Sequence, residues 1–255
     1  MFLPFLAVAA ILGTAVIERG RPRNDTSFWS ADTRINLLTG ATLAGSKWFV
    51  LVLIFTGLDE PQFTGLLSLD ALQWTAQWVI GFLTLDFARW TLHVLYHRVP
   101  FLRAFHKVHH SSETLIATSG LRMHVSDFVQ LAFVSLFLFG VLFEMGESSG
   151  WLIPAILAPG VIRDLIQHGN LDMNFQKRFI KIWILFLNNS HFHSWHHSSD
   201  PSRYDGNYGQ ALTVWDNIFG TAITPNSGTP GFELPETQRL KEQAIALQLL
   251  RRRGH

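Results

Sequence analysis

The 255-residue sequence predicts an all-α integral membrane protein, with about four to five membrane helices and a helical cap on the cytosolic side. Three observations predict this class. Apolar residues make up 48% of the chain and are concentrated in blocks, while charged residues are sparse at 15%. The topology those blocks define puts every Lys and Arg on one side. Eight of the twelve histidines fall in three short boxes on that same side.

Residues 2–17 (FLPFLAVAAILGTAVI) form the first block, and the basic flank at 18–23 follows it. A secretory signal would carry its positive charge first, so the block reads as a short membrane helix with its amino terminus outside. The second block, about 44–58, returns outward, and the loop after it holds Asp59, Glu60 and Asp70 but no Lys or Arg. The third, about 71–92, runs back in and delivers His93 and His97 where the helix leaves the bilayer. Pro100 ends that helix, because its ring cannot continue the hydrogen-bond ladder. Blocks four (about 127–143) and five (about 150–166) are separated by Glu144, Met145, Gly146 and Glu147. At roughly 25 Å each as helix they fall short of a hydrocarbon core of about 30 Å, and they read as two tilted spans or one re-entrant hairpin. Either way the chain re-emerges on the side it left. The two opposite loops then carry only acids, which makes the basic, histidine-bearing side cytoplasmic.

After residue 167 the chain is cap. Residues 177–197 contain an apolar run too short to span, which suits an interfacial or cap helix. Residues 198–232, rich in Gly, Ser, Pro, Asp and Asn, read as loop. Residues 236–253 have a helical pattern ending in three arginines, which suits a surface helix against anionic membrane lipid or a solvated tail. The expected organisation is N-terminal membrane helices and linker (1–78), a catalytic domain (79–222), and a C-terminal loop and basic helix (223–255).

The boxes are HVLYH (93–97), HKVHH (106–110) and HSWHH (193–197). Positions i, i+3 and i+4 share a helix face, so each box aims two or three imidazoles at one point. Imidazole suits zinc, copper, iron and nickel. Eight are too many for one zinc and about right for two metals sharing a cap. A metalloprotease is disfavoured, since its HExxH motif needs a glutamate after the first His and the first box has Val94 there. With no Cys, disulfides, thiolate zinc sites and iron–sulfur clusters are excluded. A net charge of +1 without basic runs interleaved with aromatics argues against nucleic acid. Two redox metals beside a bilayer point to oxygen activation on a lipid. The alternative is a bis-imidazole haem or metal anchor for electron transfer, without oxygenase activity.

Together with YDGNYGQALTVWDNIFGT (204–221), the three boxes resemble the fatty acid hydroxylase and sterol desaturase superfamily of membrane di-iron oxygenases, over about residues 80–222. The resemblance implies a four-helix transmembrane base under a cytosolic helical cap holding a histidine-rich dimetal site. It implies two Fe ions, O2 as co-substrate, an electron donor of the cytochrome b5 or ferredoxin type, and hydroxylation or desaturation of a sterol, fatty acyl or related lipid in lipid biosynthesis. The NYGQ spelling leans toward a sterol desaturase. Metal ligands carried over from the boxes are His93, His97, His106, His109, His110, His193, His196 and His197, and the resemblance adds His168 and His124. Val125 departs from the family's proline after His124, and Asn188 to His191 replace its Thr-Pro-Arg. His191 stays outside the ligand set, because two residues before His193 it points away on a helix.

No catalytic residue beyond the ligands is needed. Ligand imidazoles donate their second N–H to carboxylates or carbonyls, and the nearest acids by sequence are Glu113, Asp127, Asp205 and Asp216. Asn207, Tyr208 and Gly209 are expected to shape the loop closing the site, Trp215 and Phe219 to pack in the cap, and Asp86 to pair with Arg89 at i and i+3.

Overall fold

The computed structural model describes residues 3–20, 32–42, 65–112, 114–146, 149–171, 185–198 and 205–223. The second apolar block, Glu113, residues 177–184 and the 236–253 segment lie outside them.

The described chain is helical. In order come α1 (Leu3–Gly20), α2 (residues 32–42), α3 (Trp74–Arg98), α4 (Pro100–His106), α5 (Val125–Leu136), α6 (Ser149–Gln167), α7 (Ser190–His196) and α8 (Val214–Phe219). α5 continues through a π-helical turn, Phe137–Leu142. A two-residue parallel pairing joins β1 (Leu67–Ser68) to β2 (Phe143–Glu144), with Leu67 opposite Phe143.

This pairing fixes the direction of the helices. It sets the start of α3 beside the turn between α5 and α6, and Trp74 meets Trp151 there edge-on at 5.8 Å. α3 and α6 therefore run side by side away from the acidic loops, α5 runs against them, and their far ends carry the histidines. α1 packs along α6, with buried Thr14 and Glu18 near its carboxyl end.

The core between α3, the π-helical turn and α6 consists of Leu69, Leu85, Leu138, Phe143, Met145, Leu152 and Ile156. Gly81 makes the close approach possible, since a Cβ there would lie 2.7 Å from Ile156 Cδ1. Two prolines, Pro154 and Pro159, sit inside α6. Pro159 has no N–H to offer the Ala155 carbonyl one turn earlier, and the Trp78 indole of α3 donates to that carbonyl at 3.1 Å.

Pro100 acts twice. Val99 is extended, so α3 stops, and the proline then opens α4 at its first position, where an N–H would be unpaired anyway. The resulting corner brings His106 back over His93.

Among the described residues, one continuous helix, Val125–Leu142, is long and apolar enough to cross a membrane, with a mean hydropathy of 2.0. Large apolar side chains also stand exposed on other helices, including Val16 and Ile17 of α1, Val79 and Leu83 of α3, and Trp151 of α6.

Candidate metal centre

Each box reaches the centre by its own local device. His93 and His97, one turn apart at the end of α3, are both buried. His106 closes α4, and a 3₁₀ turn, His109–Ser111, follows at once. That turn sets the neighbouring His109 and His110 rings at 89° to each other. α7 begins on Asn189, whose side-chain oxygen accepts the His191 and Phe192 N–H groups at 3.0 Å each. The helix thus capped presents His193, His196 and His197 on one face.

Nine histidines converge on two adjoining groups. His93, His97, His106, His110 and His196 form one, and His109, His168, His193 and His197 the other, with the ligand nitrogens of each group within 4.8 Å of one another. The second and third boxes are each divided between the groups, which touch where His110 stacks on His197 at 4.3 Å.

The outer nitrogens set the tautomers. Nδ1–H donates to the Tyr208 carbonyl from His93 (2.8 Å), to the Gly206 carbonyl from His196 (2.8 Å) and to the Arg122 carbonyl from His109 (2.9 Å). His168 Nδ1 donates to the Asp164 carbonyl, and His106 Nδ1 reaches Asp127 Oδ2 at 3.4 Å. His97 Nδ1 stands 3.6 Å from Asp205 Oδ1. With the proton assigned outward by the hydrogen-bonded acceptors, the Nε2 atoms of His93, His106, His109, His168 and His196 turn their lone pairs inward.

Those lone pairs have nowhere to go without a cation. In the four-histidine group His168 Nε2 lies 3.1 Å from His109 Nε2 and 3.0 Å from His193 Nε2. His109 and His168 both carry their proton on Nδ1, so no hydrogen stands between their Nε2 atoms. Nitrogens about 2.1 Å from a shared ion and at right angles around it are about 3.0 Å apart. In the five-histidine group the Nε2 atoms of His93, His97, His106, His110 and His196 are buried without a hydrogen-bond partner among the described residues. Unpaired buried acceptors cost about 1–3 kcal/mol each, so two nitrogen-ligated metal ions fit both groups.

The imidazoles are also in the ligating protonation state. Burial lowers His109 to about 4. Burial, and then repulsion among neighbouring imidazoles, holds His106, His110, His193, His196 and His197 well below the ordinary imidazole range.

His124 is not brought to either group. It is the N-cap of α5, where its Nδ1 accepts the Ser126 N–H at 3.2 Å, and its ring lies 4.8 Å from Phe105. His191 also stays outside, its Nε2 accepting the Trp195 indole N–H at 3.2 Å.

The other expected site residues divide by role. Asp127 and Asp205 face ligand rings. Asp216 instead organises the loop beneath them, its carboxylate accepting from Tyr208 N (3.0 Å), Gly209 N (2.6 Å), Trp90 Nε1 (3.1 Å) and Thr221 Oγ1 (2.6 Å). Asn207 sits in the same loop at φ +57, a conformation asparagine tolerates better than most residues, and its amide donates to the Phe192 and Ile223 carbonyls. Tyr208 supplies its carbonyl to His93 and packs its ring 5.2 Å from His97. Asp86, expected to pair with Arg89, commits its carboxylate to the Ala211 and Leu212 amides and the Trp215 indole, which docks the loop on α3. Trp215 and Phe219 lie against Phe87 of α3 at 5.0 and 6.0 Å, away from the histidines.

Sequence reasoning marked Asn188 only as the start of a departure from the family's Thr-Pro-Arg, and gave neither it nor Arg122 a role. Asn188 Nδ2 donates to Gln167 Oε1 and to the Gly209 carbonyl, joining α6, α7 and the loop. Arg122 is wholly buried behind His109. Its place two residues before His124 was the available signal.

The described residues are mostly helical and gather nine imidazoles, eight of them buried, into two groups that could each hold a metal ion. The fatty acid hydroxylase family model matches residues 78–221, and the chain belongs to that family. It is 30% identical over 151 residues to alkylglycerol monooxygenase from Xenopus tropicalis, covering 59% of this chain and 31% of that protein. It is 29% identical over 164 residues to ornithine lipid hydroxylase OlsE from Rhizobium tropici, covering 60% of this chain and 45% of that protein. The human alkylglycerol monooxygenase is 29% identical, over 60% of this chain and 32% of its own length. The chain thus spans less than half the length of these relatives. No solved structure matches it.

Proposed function

We propose that this chain carries the catalytic centre of a membrane lipid hydroxylase that inserts one atom of O2 into a C–H bond of a lipid's alkyl chain. The balance is R–H + O2 + two electrons + two protons giving R–OH + H2O, with the electrons delivered by a carrier of the cytochrome b5 or ferredoxin type. The observation that carries the reading is the convergence of nine imidazoles, one ligand nitrogen each, in two groups. The five-nitrogen group exceeds what a zinc site takes, and the relatives' oxygenase names favour iron in both groups. The relatives' names, monooxygenase and hydroxylase, favour hydroxylation over desaturation, and both point to a lipid with a polar headgroup.

His93, His97, His106, His110 and His196 would hold one iron, and His109, His168, His193 and His197 the other. Bound there, the pair supplies O2 activation and the oxidising power for an unactivated C–H bond. The chain's own residues do the rest. Carbonyls of Gly206, Tyr208, Arg122 and Asp164 hold the rings at Nδ1, so the Nε2 atoms are oriented before metal arrives. Burial of every ligand except His110 below a tenth exposure keeps bulk water from the oxidising centre. α1, α3, α5 with its π-helical turn, and α6 form the base in the bilayer. The acid-only loops face outward and the histidines lie at the cytoplasmic boundary, within reach of lipid chains.

The test is a lipid analysis of cells expressing the chain under heavy-isotope O2, with metal analysis of the purified protein. The expected result is one labelled oxygen per new hydroxyl, about two iron per chain for the two groups, and no Soret band. His109→Ala and His196→Ala, one from each group, should each abolish labelling while the protein still inserts. Unlabelled lipid, a Soret band or a single zinc overturns the proposal.

A further inference from the structure

We infer that the buried ion pair between Arg122 and Asp32 positions the four-histidine group, so that chain ahead of the family-matched region is part of the metal centre. This rests on the two-metal reading above. α2, which carries Asp32 and Asn36, lies outside the matched residues 78–221.

Arg122 is 0% exposed and Asp32 4%. Its guanidinium donates from Nη2 to Asp32 Oδ1 at 2.6 Å and from Nε to Asn36 Oδ1 at 2.7 Å, so one edge of the fork grips α2. From Nη1 it donates to the Ser111 carbonyl at 2.8 Å, gripping the last residue of the turn that bears His109. The Arg122 carbonyl meanwhile accepts His109 Nδ1–H at 2.9 Å. One residue therefore holds the His109 ring through its backbone and the His109 turn through its side chain.

Further bonds lock the same segment to α2. Asp32 Oδ2 accepts the Thr114 N–H at 3.2 Å, Asn36 Nδ2 donates to Thr118 Oγ1 at 3.0 Å, and Thr39 Oγ1 reaches the Leu121 carbonyl at 3.0 Å. A buried guanidinium is costly unless its charge and its donors are matched, and here both are. A planar fork can satisfy α2 and the turn together, which a lysine ammonium cannot. The outer nitrogens of His93, His106 and His196 are held by Tyr208, Asp127 and Gly206, none of them a partner of the Arg122 side chain. The effect of losing the pair therefore falls on the His109 group. Removing a partner that orients a ligand ring weakens metal binding by about 10–100-fold.

The experiment uses the full chain in detergent, loaded with isotopically enriched iron and dialysed against a chelator, with bound iron and Mössbauer spectra as readouts. Arg122→Met and Asp32→Asn should each fall from about two iron per chain to about one, matching loss of one of the two groups, with the remaining iron keeping its wild-type signal. Arg122→Lys should retain more of the second iron than Arg122→Met, and it decides the matter if the methionine variant does not accumulate. The double variant Asp32→Asn/Arg122→Met removes both charges, so it should regain thermal stability without regaining the second iron. A single variant that keeps both irons with the wild-type spectrum, or loses both to the same degree, overturns this inference alone. Wild-type protein that binds no iron overturns the two-metal reading and this inference with it.

Discussion

Replacing Asp216 by alanine tests whether the loop below the histidines is held by one carboxylate. The side chain is fully buried and accepts from the Trp90 indole, the Tyr208 and Gly209 amides and the Thr221 hydroxyl. Alanine would strand all four donors. An orphaned buried donor costs about 1–3 kcal/mol, but the four share one acceptor and relax together, so the sum overstates the loss. Four orphaned donors at a shared site set the loss at about 3–5 kcal/mol, below the full sum of their separate costs. At about 2–4 °C per kcal/mol for a chain of this size, Tm should fall by roughly 6–20 °C. The second consequence is local. The loop presents the Gly206 and Tyr208 carbonyls to His196 and His93, so the five-histidine group should lose iron before the four-histidine group does. Asp216→Asn keeps one acceptor oxygen but turns N–H toward a donor, and should fall between wild type and alanine. Tryptophan fluorescence during heating, with iron analysis of the same sample, measures both effects. An alanine variant that melts within about 2 °C of wild type and holds its full iron would refute the reasoning.

Three further outcomes are expected. Asp127→Asn weakens the acceptor facing His106 Nδ1, and iron affinity in a chelator competition should drop by about 10–100-fold; an unchanged competition curve would remove Asp127 from the site. Gly120→Ala would place a Cβ 2.7 Å from the Asp164 carbonyl oxygen and 3.0 Å from His168 Nδ1, so it should cost about 1–3 kcal/mol of stability and iron from the His168 group. Full iron and an unshifted Tm in that variant would show that the α6 terminus can yield. Iron retention should also depend on pH in one direction. The folded chain lowers His109 from an ordinary 6.5 to about 4. The fold therefore favours the neutral ring, and that contribution is complete above about 6.5 and lost as pH falls toward about 4. Protonation removes the ligating lone pair over the same window. Retention that stays flat down to about pH 4 would contradict it.

The histidine boxes were legible because their information is local. Spacing of three and four residues on a helix puts imidazoles on one face wherever the helix lies, and Pro100 ends α3 for a covalent reason. His124 shows the limit of such reasoning. A histidine beside a polar turn can ligate a metal or cap a helix, and the choice depends on whether its backbone N–H neighbours lack acceptors. Here Ser126 N–H takes the ring nitrogen, with Val125 where the family has proline.

Most of the acceptors behind the ligand rings were not legible. Four of them are backbone carbonyls, of Gly206, Tyr208, Arg122 and Asp164, and every residue has one. Searching the sequence for acids found Asp127 and Asp205 but not these. Arg122 drew no role from the sequence, yet it is among the most deeply buried side chains, because Asp32, some ninety positions earlier, neutralises it.

By itself the sequence determined which atoms are available to a metal and how many face each way along a helix, since chemical identity and helical period are properties of the chain. Only the tertiary structure decided how nine imidazoles divide into five and four, with adjacent His109 and His110 serving different groups. That division depends on contacts between distant segments and on the angle of one 3₁₀ turn, and residue spacing contains neither.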